Sequence, residues 1–331
     1  MSTGKKDETE AALTGEVARG DRRKQYVVTR VLQGCAAVTI ATTLAIFAVL
    51  IDNAFSFFYG QRLHEAILGA TLESRVGVVE FLTGTRWAPY HAFPDYGVLP
   101  LLNGTLLITV GAAFISIPIG TATAIYLSEY ASERVRGVLK PTLEVLAGIP
   151  TIVYGFFAIS FITPVFIRPV FETLGFSVSF YNAFAGMVVV GIMTIPMVSS
   201  ISEDAMSAVP DDLRNAAYGL GATKQEVSTQ VVLPASISGI LASYILAVSR
   251  AIGETMAVTL AAGHRSQMTL NPFVEIQTMT AYMVQMARGE AAMGTVEYQS
   301  LFAVGLLLFV ITLSMNLLND WVKRRYREVY R

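Results

Sequence analysis

The chain has 331 residues, of which 53% are apolar and only 15% charged, where a soluble globular protein carries about a quarter charged residues. Several apolar stretches reach bilayer-spanning length, so the expected fold is an all-α polytopic membrane protein with six transmembrane helices. The net charge of -1 says little, the single cysteine (Cys35) excludes an internal disulfide, and His64, His91 and His264 are scattered with no metal-ligand spacing.

Residues 1–26 are polar and mixed in charge and are expected as a disordered cytoplasmic tail. The first span, Val27 to Ile51, is too long for a signal-peptide core and reads as an uncleaved anchor. Residues 52–98 form a polar segment, expected as a small periplasmic lobe. The second span, Leu99 to Leu127, contains Pro118, whose freed carbonyl neighbouring helices must satisfy. A short basic loop (Arg134, Arg136, Lys140) leads to a third span, Leu143 to Ile167, broken by Pro150 and Pro164 and carrying an interfacial Glu144. The fourth span is Phe180 to Ile201.

Residues 202–234 form a polar interlude between two strongly apolar runs. Pro210 suits a first helical position, with Asp211 and Asp212 in the turn where orphan amides favour negative charge. Leu213, Ala216, Ala217 and Leu220 recur at helical spacing and give a short, smooth apolar face; Gly221 can end the helix in a left-handed turn. A second helix, Lys224 to Val232, returns the chain to the membrane at Leu233-Pro234. Spacing alone leaves two readings open, a connecting loop or a plug for a cleft on another protein.

The fifth span, Ala235 to Ala262, holds Arg250 and Glu254, one helical turn apart and flanked by Ser249 and Thr255. At 1.5 Å per residue Arg250 lies roughly 22 Å along this helix, near mid-membrane, where an arginine costs about 3 kcal/mol. A guanidinium offers a planar fork of donors matched to a tetrahedral oxyanion and cannot lose its charge. The competing reading is an intrahelical Arg250–Glu254 ion pair that holds the bundle together; Glu254 could also hold Arg250 in the empty state or accept a substrate proton. In residues 263–298, Ile276, Met279, Met283 and Met286 are expected as an amphipathic helix on or dipping into the membrane surface. The sixth span, Leu301 to Leu318, precedes a basic tail over residues 321–331. Lysine and arginine concentrate in both tails and in the loops after the second and fourth spans, which places those segments in the cytoplasm. Gly219 to Lys224 lacks the ending and glycine spacing of a phosphate loop, and no catalytic motif is apparent, so the chain is not expected to hydrolyse ATP itself.

Asn215-Ala216-Ala217, Gly221 and Val231-x-Leu233-Pro234 resemble, at matching spacing, the coupling loop of binding-protein-dependent ABC importer permeases, with Asn215 and Val231 where that family has Glu and Ile. Leu146 to Phe157 (LAGIPTIVYGFF), Ser249 to Val258 (SRAIGETMAV) and Leu270 to Val284 narrow the resemblance to the phosphate-specific importer permeases of PstC type, from about residue 27 to 320. It implies the MetI-like type I importer fold and a prokaryotic inner-membrane location. It further implies a heterodimer with a PstA-type sibling permease and two PstB-type ATPases that use ATP and magnesium, engaged through Leu213, Asn215, Ala216, Ala217, Leu220 and Gly221. A PstS-type phosphate-binding protein is expected outside, with no nucleic-acid partner and no cofactor or metal on this chain. The charged positions matching Arg250 and Glu254, with Ser249 and Thr255, are implied in the phosphate path. Rival readings are a permease for molybdate or phosphonate, an ion-driven secondary transporter, and an intramembrane enzyme.

Overall fold

A segment surrounded by lipid must pair every N–H and C=O within itself, and a helix does so at any sequence position that tolerates it. The computed structural model, which describes residues 4–60, 75–90 and 93–325, with side chains from residue 25 onward except Glu290, follows that rule almost throughout. Residues 61–74 and 91–92 of the expected lobe, including Arg62, His64 and His91, lie outside the described residues, as does the tail 326–331 with Arg327 and Arg331.

Two units divide the chain, Met1–Asp52 and Asn53–Arg331. The first is most of α1 (Gly4–Tyr59), whose side chains over residues 25–46 are exposed. Residues 4–26 are therefore helical where a disordered tail is expected. Their alanines, glutamates, lysines and arginines are good helix formers that propagate the following span, and low hydrophobicity alone does not oppose that.

In the second unit, α2 (Val78–Thr83) is followed by a two-residue hairpin, β1 (Trp87–Ala88) against β2 (Asp95–Tyr96), with Trp87 opposite Tyr96. Next comes α3 (Leu99–Ile125), extended to Tyr130 by a wider π-helical turn. The third span starts later than expected. Helix α4 (Glu133–Gly148) ends at Ile149, held extended by Pro150, and α5 (Thr151–Thr173) starts with Pro150 as its cap. Proline lacks an amide hydrogen and disfavours helix in the residue before it, so Leu143 to Gly148 belongs to a separate helix. Pro164 lies inside a π-wound stretch, Ala158–Ile167, of α5.

Helix α6 (Ala183–Ser207) is capped by Asn182, whose side chain accepts the Ala185 N–H at 2.8 Å. After α7 (Asp211–Gly219) and α8 (Lys224–Ala235), α9 (Ile237–Ile252) sets off at 70° to α8. Gly253, Glu254 and Thr255 interrupt the fifth span, and α10 (Met256–Ala262) continues it. The continuous helix expected from Ala235 to Ala262 is thus broken twice. Glycine has low helix propensity, and the Glu254 side chain competes by bonding backbone. The chain ends in α11 (Met279–Gln285) and α12 (Val296–Arg325). Among the described residues, five helices are long and apolar enough to cross a membrane, or six where the bent α8–α9 pair is counted as one span.

Three buried clusters stack along the bundle. The central one joins Ile108 of α3, Ala158 of α5, Val190 and Met193 of α6, Val258 of α10 and Ile276. A second gathers Phe57, Phe81, Trp87 and Tyr96 with Tyr282 and Val304, and a third joins Ala124, Met206, Val227 and Ile240. Ile276, Met279 and Met286 are at most 1% exposed. Their stripe packs within the protein and not on the membrane surface, a difference that periodicity cannot register because both settings reward one apolar face.

The segment before α11 threads into the bundle by backbone pairing. Ala183 N–H donates to Val274 O at 3.1 Å, and Ile276 N–H to Ala262 O at 3.0 Å. It passes so close to α3 that a Cβ on Gly104 would strike the Gln277 carbonyl. Gly104→Leu is expected to destabilise the assembled protein by about 2 kcal/mol or more, since the obstacle is backbone. Gly137→Ala, in the interior of α4 with open space around it, should leave thermal stability in detergent unchanged or slightly raised, since alanine is the better helix former.

Candidate functional site: an arginine-lined cavity and an exposed helix

Arg250 occupies the last turn of α9, about 20 Å from its start at Ile237. Its side chain lines a cavity of about 260 Å³ together with Lys140 and Glu144 of α4 and Met193, Pro196 and Glu203 of α6. From Met193 to Glu203 the wall follows α6 for about 15 Å, ending four residues short of its terminus at Ser207. Gly239 packs on Ala205 and Ser243 hydrogen-bonds Ser202, so α9 runs antiparallel to α6 and carries Arg250 toward the Met193 end of the cavity, with Lys140 and Glu203 toward the other.

Among the described residues Arg250 makes no ion pair. The intrahelical pair with Glu254 is absent, because the helix ends at Ile252 and the one-turn spacing no longer applies. Glu254 is buried, 8% exposed, and its carboxylate accepts the Ala257 N–H at 3.2 Å, so it caps α10. Its carbonyl accepts the Thr280 hydroxyl at 2.7 Å. The Ser249 carbonyl accepts the Gly253 N–H, and the Thr255 hydroxyl donates to the Gly253 carbonyl at 3.1 Å. Of the four residues proposed for the path, only Arg250 lines the cavity; the other three build the helix break beside it.

Sequence reasoning missed the charge cluster at the other end. Glu203 is fully buried, and Arg136 donates to its carboxylate. Lys140 donates to Glu203 at 2.7 Å and to Asp204 at 2.9 Å, and Arg136 also donates to the Ser207 hydroxyl at 2.7 Å. The sequence signal was present: a glutamate in the last turns of an apolar span needs a cation, and α4 supplies two. Glu144, expected at the interface, is exposed and also lines this cavity.

On the polar interlude, Pro210 caps α7, Asp211 and Asp212 fill its first turn, and Gly221 takes φ +87, the left-handed turn expected there. The apolar face divides in two. Ala217 packs onto the third cluster, while Leu213, Asn215, Ala216 and Leu220 are exposed, Leu220 at 91%. Beneath α7, Arg214 donates to Glu129 at 3.1 Å and to the Met206 carbonyl at 2.9 Å, with Glu129 only 5% exposed. A second bond set follows at Thr223 and Glu226, a capping box that starts α8. Arg214 is therefore a rigid strut from the exposed helix to the ends of α3 and α6, a role that sequence spacing does not reveal. Among the described residues, no group of three or more His, Cys, Asp or Glu side chains is placed to hold a metal.

Residues 116–328 match the family model for the binding-protein-dependent transport system inner membrane component. The chain is 32% identical to the probable ABC transporter permease protein YqgH of Bacillus subtilis, over 86% of this chain and 89% of that protein. It is 35% identical to the phosphate transport system permease protein PstC of Haemophilus influenzae, over 72% and 79% respectively. Among solved structures, a chain of a bacterial alginate ABC transporter bound to its periplasmic protein matches with a TM-score of 0.61 at 14% identity, covering 92% of this chain and 96% of that one. A chain of an inward-facing MetNI methionine ABC transporter matches with a TM-score of 0.52 at 17% identity, covering 70% and 94%.

Proposed function

We propose a function from one premise: the chain belongs to the binding-protein-dependent transport system inner membrane components, the permease subunits of ABC importers. It is a multi-pass membrane permease and not an enzyme. In our reading it forms half of the translocation pathway of an ATP-driven importer of inorganic phosphate. The observation that carries the reading is Arg250, a guanidinium without a carboxylate partner among the described residues, facing a cavity within the bundle. A tetrahedral oxyanion supplies the charge and the paired acceptors that such a fork lacks. The PstC-type relatives support phosphate as that anion.

The partners follow from the same premise. A PstA-type sibling permease completes the pathway, a PstS-type protein delivers phosphate from outside, and two PstB-type ATPases bind ATP and magnesium below. Both termini face the cytoplasm. Closure of the ATPase dimer pushes on Leu213, Asn215, Ala216 and Leu220; Ala217 and the Arg214 strut carry that displacement into α3 and α6, which opens and closes access to Arg250. Ser249, Glu254 and Thr255 hold the break that presents Arg250, and Gly221 turns the chain back to the membrane.

Labelled-phosphate uptake in proteoliposomes tests this reading. The assembled transporter is expected to import phosphate only with ATP, and excess molybdate or phosphonate should leave uptake unchanged. Transport by this chain alone would point to an ion-driven carrier, and strong competition by molybdate would reassign the substrate.

A further inference from the structure

An anion held at one cation inside an apolar cavity needs a second favourable contact in order to leave, since conduction requires several sites none of which binds too well. The cavity contains such a group. Lys140 lines it together with Arg250, toward the end where α6 runs out. Both α4 cations reach the Glu203 carboxylate, and they do so differently. Arg136 bonds Glu203 and the Ser207 hydroxyl at once, a fixed two-point grip. Lys140 contacts Glu203 and the exposed Asp204 by its terminal amine, a compact charge on a flexible stem. The Ser207 hydroxyl also donates to Glu203 at 3.2 Å, so Glu203 keeps a cation and a hydroxyl when Lys140 turns away, and the severe penalty of an unpaired buried carboxylate is avoided.

We propose that Lys140 is a second cation station for the transported anion, a relay at the cytoplasmic mouth that leaves Glu203 for the arriving oxyanion and returns once it has gone. The inference rests on the reading that Arg250 meets the anion in this cavity. Five charged groups face Lys140 or share its wall: Glu203 and Asp204 compete for it, Arg136 shares the Glu203 carboxylate with it, Glu144 one turn along α4 repels an anion that lingers, and Arg250 supplies the anion. The occupant recognised by these two cations is a small, multiply charged oxyanion.

The test uses the assembled transporter in proteoliposomes with labelled inorganic phosphate. Lys140→Gln is expected to lower the maximal uptake rate about tenfold with KM within about twofold, because the external binding step is untouched. Phosphate-stimulated ATP hydrolysis and thermal stability should persist, and Lys140→Arg should recover most of the rate. Wild-type uptake in Lys140→Gln would overturn the relay, as would parallel loss of assembly, ATP hydrolysis and transport, which marks a structural ion pair. Arg250→Gln in the same preparation separates the failures. If Arg250→Gln is inactive while Lys140→Gln is normal, only the relay falls; if both are normal, the cavity is not the path.

Discussion

Arg250→Gln is expected to lower ATP-driven phosphate uptake about a hundredfold while the transporter still assembles. A hydrogen bond to a charged group contributes about 1.5–3 kcal/mol, and a bidentate pair in a site shielded from water reaches the upper figure. The glutamine keeps one donor and most of the stem, so the cavity wall stays filled. Arg250→Lys should lie between the two, since it restores charge without the fork. Glu254 separates function from structure at this break. Glu254→Gln retains an oxygen to accept the Ala257 N–H, so α10 should remain capped; Glu254→Ala should cost about 1 kcal/mol of stability. If uptake by Arg250→Gln matches wild type, the guanidinium is a structural charge and no more.

The second large effect concerns the lever. Leu220→Arg is expected to reduce co-purification of the ATPase subunits at least about tenfold, because a charge then stands where an apolar side chain is to enter a cleft. Leu220 is 91% exposed, so the substitution disturbs nothing within the chain. Arg214→Ala tests the strut with the opposite pattern. It removes the bonds to Glu129 and to the Met206 carbonyl while leaving the outer face intact. The ATPases should still bind and hydrolyse ATP, with transport per ATP reduced severalfold. Equal loss of binding in both variants would refute the division of α7 into an outer docking face and an inner strut.

How far the sequence reached depends on the range of the forces involved. The spans were legible because lipid imposes one demand on every residue of a segment. The turn at Gly221 and the acidic start of α7 were legible because capping is decided within a few residues. Arg250 stood out because charge in an apolar run is expensive wherever it packs. The break at Pro150 was legible, since proline interrupts a helix locally, but the apolar run across it concealed that Leu143 to Gly148 belongs to a separate helix before the span. The segment around Ile276 was misplaced because an amphipathic stripe does not say which apolar surface it meets. Arg136 and Lys140 are each more than sixty residues from Glu203, and Arg214 is eighty-five from Glu129. Their pairing exists only in the folded bundle, and no local pattern announces it.

The account depends on the anion passing Arg250. A density map of the assembled transporter trapped with phosphate inside tests that directly. An oxyanion about 3 Å from the Arg250 guanidinium, within the cavity bounded by α4, α6 and α9, is the predicted result. A guanidinium turned to lipid or sealed from the passage, with phosphate bound elsewhere in the membrane, would contradict it.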